Sequence, residues 1–202
     1  MSILNTNMTM EKTDWDALRD RAYECAKAHG WHDEEHNVKH YLMLVVTEIA
    51  EAVQADRKGR HADRQEFEEF MAAHDETALE YAYTVFIAGT VEDEFADVII
   101  RCLDLAGLTG LDLSELQDMV DFIENDKKTF NVYKLFDREF TEIAYELTDI
   151  LIGEEKNLKK AVFTTISLIL TWGDYLGIDM MWHIKQKMKY NETRPYRHGK
   201  RY

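Results

Sequence analysis

An all-α fold is what this sequence predicts, and three observations predict it. Its one proline, Pro195, stands near the C-terminus, and only nine of 202 residues are glycine. Leu, Glu, Lys and Ala, all strong helix formers, fill the intervals between these few breakers. Apolar residues recur at helical spacing, as in Leu42, Val46, Ile49 and Val53. An apolar fraction of 46% is enough to bury a core, and the length suits a single helical-bundle domain over 1–202.

The first helix is expected from Thr13, with Asp16 completing a capping box, to just before Gly30. A second runs from about His36 to Lys58 and stops at Gly59. Residues 60–89 carry mixed signals: DRQEFEEFMAAHDE reads as a short helix, and YAYTVFIAG as a helix end or an extended piece. Thr90 and Asp93 form another capping box, opening a helix to about Ala106 that Gly107 stops. Asp112 caps a helix from Leu113 to about Glu124, and the polar NDKKTFNVYK reads as a linker. Helices follow at about 137–152, 156–175 and 180–191, the last capped by Asp179 after Gly177.

An internal repeat is legible as well. TEIAE at 47–51 recurs as TEIAYE at 141–146, and LAGLTGLDL aligns with TWGDYLGIDM when Gly110 is set on Gly177. This divides the chain into a first repeat over about 36–124, a degenerate second repeat over about 137–191, and a basic tail at 192–202. In that register Ala161 stands where Glu94 does, and Thr164 where Asp97 does.

The formal net charge of −15 argues against nucleic acid and anionic membranes as partners. The charge is uneven, since seven Lys/Arg and one acid fall within residues 183–202. Cys25 and Cys102 sit in helical apolar patterns without CxxC spacing, so a reduced, cytoplasmic setting is expected. The N-terminus lacks the basic-then-apolar pattern of a signal peptide. Asp174 interrupts the most apolar stretch, AVFTTISLILTWGDYLGI, below transmembrane length.

LVVTEIAEAV, residues 44–53, sets two carboxylates inside an apolar helical run. Glu48 and Glu51, three apart, share a face with Tyr41, Leu44 and Ala55 rather than a polar side. Glu94 and Asp97 repeat the device, and Asp97 leads directly into Val98, Ile99 and Ile100. Burying one uncompensated carboxylate costs several kcal/mol or more, so four need a partner. Arg101, four residues after Asp97, pairs with it in this reading, and no other nearby base serves the rest. A hard divalent cation would, because Mg²⁺ takes oxygen ligands and keeps waters and substrate phosphates in its shell. The opposing reading is that these are ordinary solvated acids of an acidic protein.

LMLVVTEIAEAVQADRKGR followed by GTVEDEFADVIIRCLDLAGL resembles the MazG-like all-α NTP pyrophosphohydrolase superfamily, whose signature is ExxE on one helix and ExxD on another. The tail HIKQKMKYNETRPYRHGKRY is similar to the superfamily's K-M-x-x-N segment. The chain departs from the pattern at Thr47, where a Glu is usual, and in the long interval over 60–89. The resemblance implies Mg²⁺-dependent cleavage of a nucleoside triphosphate between its α and β phosphates, with Mn²⁺ as a substitute ion. It implies metal ligands at Glu48, Glu51, Glu94 and Asp97, with Glu48 or Glu51 orienting the attacking water. A phosphoribosyl-ATP pyrophosphohydrolase-like enzyme shares the acidic signature, and a non-enzymatic acidic interaction protein is the reading from another class. A homodimer is the expected assembly, although a fused repeat can equally act alone.

Lys187 and Asn191 match the superfamily's Lys and Asn, which implies phosphate or sugar contact; a solvated helix end is the alternative. Arg194, Arg197, Lys200 and Arg201 either close over the phosphates or form a charged tail, and Arg101 is a lesser candidate for phosphate contact. His32, His36 and His40 are spaced by four, but nothing in the sequence completes a zinc site. Trp15, Trp31 and Tyr41 can stack on a base or belong to the core. P-loop and dinucleotide-binding glycine motifs are absent.

Overall fold

The structure, a computed structural model, describes residues 13–126 and 133–199. They form an all-α bundle, and no strand occurs among them. The helices are α1 (Trp15–Ala28), α2 (Val38–Arg57), α3 (Arg64–Ala72), α4 (Leu79–Phe86), α5 (Val91–Thr109), α6 (Leu116–Asp126), α7 (Tyr133–Phe136), α8 (Phe140–Gly153), α9 (Leu158–Tyr175) and α10 (Met180–Thr193). Short 3₁₀ turns at Glu76–Ala78 and Tyr196–Gly199 complete the order.

Side-chain caps set most of the starts. Asp14, Asn37, Asp63, Thr90, Asn157 and Asp179 each accept a hydrogen bond from a backbone N–H in the first turn, a contribution of about 1 kcal/mol apiece. The α1 cap is therefore Asp14 rather than Thr13. Asp16 is used elsewhere: it pairs with Arg19 and accepts the Leu113 N–H at 3.1 Å, tying α1 to the α5–α6 turn.

Both ambiguous stretches of 60–89 are helical. They fold as α3 and α4 around a small core of Phe67, Ala82, Tyr83 and Ile87. The helix from Thr90 runs three residues past the expected end and stops at Gly110, whose φ of +66° suits a residue without Cβ. Gly107 stays helical for a packing reason: a Cβ there would lie 2.5 Å from Tyr23 Cβ, so its bareness lets α1 approach α5. Asp112 accepts the Ser114 N–H at 2.8 Å, but the helix begins at Leu116. The expected linker falls largely outside the described residues.

Helix α5 is the axis. It is buried along most of its length and packs against α1, α2, α9 and α10, while α2 packs on α8 and α8 on α9. Phe95 meets Trp172 at 4.8 Å between ring centroids, and Phe140 meets it at 4.3 Å. Tilted ring contacts of this kind add about 1 kcal/mol per pair beyond the burial itself. The α2–α5 and α8–α9 pairs thus meet across one core. No single helix among the described residues is long and apolar enough to cross a membrane.

Candidate metal centre

On α2 the buried stripe is Tyr41, Leu42, Val45, Glu48, Ile49, Ala52 and Ala55. It is centred one residue away from the expected stripe, because Val46 and Val53 are only half-buried. The shift puts Glu48 inside the core face, 4% exposed, and leaves Glu51 one turn on at the solvent edge. From α5, Glu94 faces them and is 7% exposed. Glu48, Glu51 and Glu94 each bring one carboxylate oxygen within 4.8 Å of the other two. Ligands at opposite corners of a Mg²⁺ shell lie about 4 Å apart, so the triad fits one hard cation.

Its electrostatics favour such an ion. Burial, then the nearby Asp97 charge, pushes the Glu48 carboxyl up to about 7 even with Arg101 beside it. Burial and the Asp97 and Asp93 charges push Glu94 up to about 9. Carboxyls held this far above their ordinary range are short of positive charge, which a divalent cation supplies.

The expected fourth ligand is placed differently. Asp97 Oδ2 lies 2.7 Å from Lys187 Nζ, and Asp93 Oδ1 lies 2.6 Å from the same nitrogen. The Lys187 ammonium is buried, which opposes its charge, but the two aspartates outweigh that and hold its pKa above the ordinary value. Arg101 does not pair with Asp97 as expected. Its Nε lies 3.0 Å from Glu48 Oε1, because α2 and α5 cross at that level. Neither pairing is visible in local sequence, since the partners lie 53 and more residues apart.

Most of the sequence-predicted residues nonetheless converge. Glu48, Glu51, Glu94, Asp97, Arg101, Lys187, Asn191 and Arg194 line one open cleft of about 220 Å³ between α1, α2, α5 and α10. Asn191 Oδ1 is buried there and accepts no hydrogen bond among the described residues. Arg194 lies over the Tyr190 ring at 5.5 Å, and Tyr190 stacks on Tyr83 at 4.3 Å. Arg197 bonds back to the α1–α2 loop instead of entering this cleft: its Nε donates to the Gly30 carbonyl at 3.0 Å. Lys200 and Arg201 lie outside the described residues.

Sequence reading missed Asp93 and Tyr83. Asp93 was legible only as the partner of a helix cap. In the fold its Oδ1 accepts the Tyr83 hydroxyl at 2.7 Å as well as Lys187, and its Oδ2 accepts the Gly89 N–H at 2.7 Å. Asp93 therefore positions Lys187. The three histidines gather no metal set among the described residues. His36 and His40 stack at 4.1 Å, whereas His32 turns inward to Asp104 at 2.7 Å. Trp15 is core and donates to Gln117 at 2.9 Å.

Compared with protein-family models, with curated proteins and with solved structures, the chain matches none.

Proposed function

We propose that this protein is a Mg²⁺-dependent nucleoside triphosphate pyrophosphohydrolase, releasing a nucleoside monophosphate and pyrophosphate. The observation that carries it is the convergence of three carboxylate oxygens within 4.8 Å in a cleft that also carries Lys187, Arg101 and Arg194. Glu48, Glu51 and Glu94 would hold the ion, which when bound would neutralise phosphate charge and lower the pKa of a coordinated water. Glu51, nearest solvent, would orient a water and take its proton as the water oxygen bonds to the α-phosphorus and the bridging P–O bond breaks to release pyrophosphate. Lys187 and Arg194 balance charge on the departing pyrophosphate, and Asn191 offers a hydrogen-bonding amide beside it. Asp93 keeps the Lys187 ammonium at the level of the triad.

The experiment is a panel of NTPs and dNTPs with Mg²⁺ and with Mn²⁺, with pyrophosphate and orthophosphate quantified separately. Pyrophosphate with the matching monophosphate is expected. Orthophosphate alone from homogeneous protein rejects α–β cleavage. Turnover of phosphoribosyl-ATP in preference to every common nucleotide would move the assignment to that class. The absence of turnover throughout would favour an acidic interaction module.

A further inference from the structure

The acid stripe of α5 continues past the metal ligands. Glu94, Asp97, Arg101 and Asp104 fall at intervals of three, four and three, so one face of the helix carries all four. From Asp97 to Asp104 the helix rises about 10 Å. At that far end lies a second hollow of about 430 Å³, which shares Trp31, Arg101 and Asp104 with the cleft already described. Tyr41, His36 and His40 supply further ring surface there. The shared wall makes the two hollows compartments of one elongated groove: acids and cations at one end, aromatic rings at the other.

Asp104 is the buried polar group of the aromatic end, 6% exposed. Its Oδ1 accepts from His32 Nε2 at 2.7 Å, and the imidazole is itself flanked by the Tyr23 and Tyr41 rings at 5.1 and 5.9 Å. The carboxylate is thus held in one orientation. Its second oxygen accepts no hydrogen bond among the described residues. Of the guanidiniums nearby, Arg101 commits its Nε to Glu48 and lies over the Trp31 ring at 5.7 Å, and Arg197 donates to the Gly30 carbonyl and to Glu34. Beside its ring surfaces the compartment thus presents Asp104 as a fixed hydrogen-bond acceptor.

We infer that the aromatic compartment selects the nucleobase, with Asp104 as the specificity-determining residue that favours a base carrying an exocyclic amino group at its edge over one carrying a carbonyl there. An amino group donates to the carboxylate oxygen, whereas a carbonyl oxygen at that place meets it acceptor to acceptor and both lose solvation. Cytosine and uracil are alike in size and test this at one edge: cytosine presents its 4-amino donor beside an unprotonated N3, whereas uracil presents a 4-carbonyl beside an N3–H, so discrimination reads the 4-position only if the carboxylate meets that position rather than N3. The inference rests on the reading of the groove as a nucleotide site, but it does not require that the nucleotide be hydrolysed.

The test is calorimetric binding of dCMP and dUMP to the full chain in Mg²⁺, with kcat/KM for dCTP and dUTP alongside. Wild-type protein is expected to bind dCMP about tenfold or more tightly than dUMP. Asp104→Asn, which adds an amide donor, is expected to erase or reverse that preference. Trp31→Leu, at a half-buried turn position after α1, is expected to weaken both ligands by a similar factor, which keeps the inference testable should Asp104→Asn fail to fold. Equal binding of the two bases by wild type, a preference for dUMP, or discrimination unchanged in Asp104→Asn would each overturn it, even with pyrophosphate release intact. Base discrimination without turnover would sustain it and reject the hydrolase reading instead.

Discussion

Glu51 is the sharpest single-residue test. It is the exposed member of the acid triad, so Glu51→Gln keeps its volume, leaves no buried group orphaned and removes only charge. Turnover is expected to fall by at least about 100-fold, with weakened Mg²⁺ affinity and an unchanged circular dichroism spectrum. Glu115→Gln, whose side chain is 70% exposed and reaches only Lys159, serves as the control. Wild-type activity in Glu51→Gln would reduce the triad to surface chemistry. His183 is a second residue with a predictable signature. Burial holds its pKa below the ordinary 6.5, so the unfolded chain takes up the proton first. Its contribution is fully present above that value and is lost as pH falls through about 6.5. Glu48 tilts the other way, since its raised carboxyl binds protons more readily in the folded state. The difference between wild type and His183→Gln in urea midpoints from pH 8 to 5 isolates the histidine. The variant is expected to lose less stability on acidification, and parallel curves would place the effect elsewhere.

At the scale of elements, a close approach of two helices is made by a residue that looks like a helix stop. Gly107 lies within α5, and its substitution by Ala would ordinarily stabilise a helix by about 1 kcal/mol. Here the new Cβ would meet Tyr23 Cβ at 2.5 Å, an atom fixed to the α1 backbone rather than a flexible tip. Gly107→Ala is therefore expected to destabilise by about 1–3 kcal/mol by prising α1 from α5. Gly153→Ala, with nothing within 4 Å of the new methyl, should be neutral or mildly stabilising. A melting temperature for Gly107→Ala at or above wild type would mean that the contact relaxes at no cost. The same residue explains why α5 runs past the end its sequence predicts. A glycine is a signal both for a C-cap and for close packing, and only the neighbour across the gap decides between them. The segment YAYTVFIAG was undecided for a related reason. Its apolar run is short enough for either helix or strand, and burial of Tyr83 and Ile87 against Phe67 settles it as helix.

For the molecule as a whole, the central question is whether two helix pairs share one ancestry of sequence and one burden of chemistry. The α2–α5 pair carries the acid triad. In the register that sets Gly110 on Gly177, Ala161, fully buried, and Thr164, half-buried, would stand where Glu94 and Asp97 do. Glu142 is exposed, and Glu146 pairs with Arg138 at 3.3 Å. Glu142→Gln and Glu146→Gln are therefore expected to keep turnover within about twofold and stability within about 0.5 kcal/mol of wild type. A loss comparable to that of Glu51→Gln would show the second pair to be chemically active.

Sequence alone determined the class of fold, because helix formers, sparse breakers and 3.6-residue spacing are local properties. It also determined which acids are out of place: Glu48, Glu51, Glu94 and Asp97 are conspicuous because their chain neighbours are apolar. The tertiary structure decided what those acids do to one another. Asp97 faces Lys187 from a helix some ninety residues away in the chain, Arg101 faces Glu48 across the α2–α5 crossing, and Asp93 turns from a cap into the residue that positions a buried ammonium. Such pairings depend on helix crossing and register, which the chain fixes only through the whole packed core. Periodicity can state which face a residue occupies, but not which charge it will meet there.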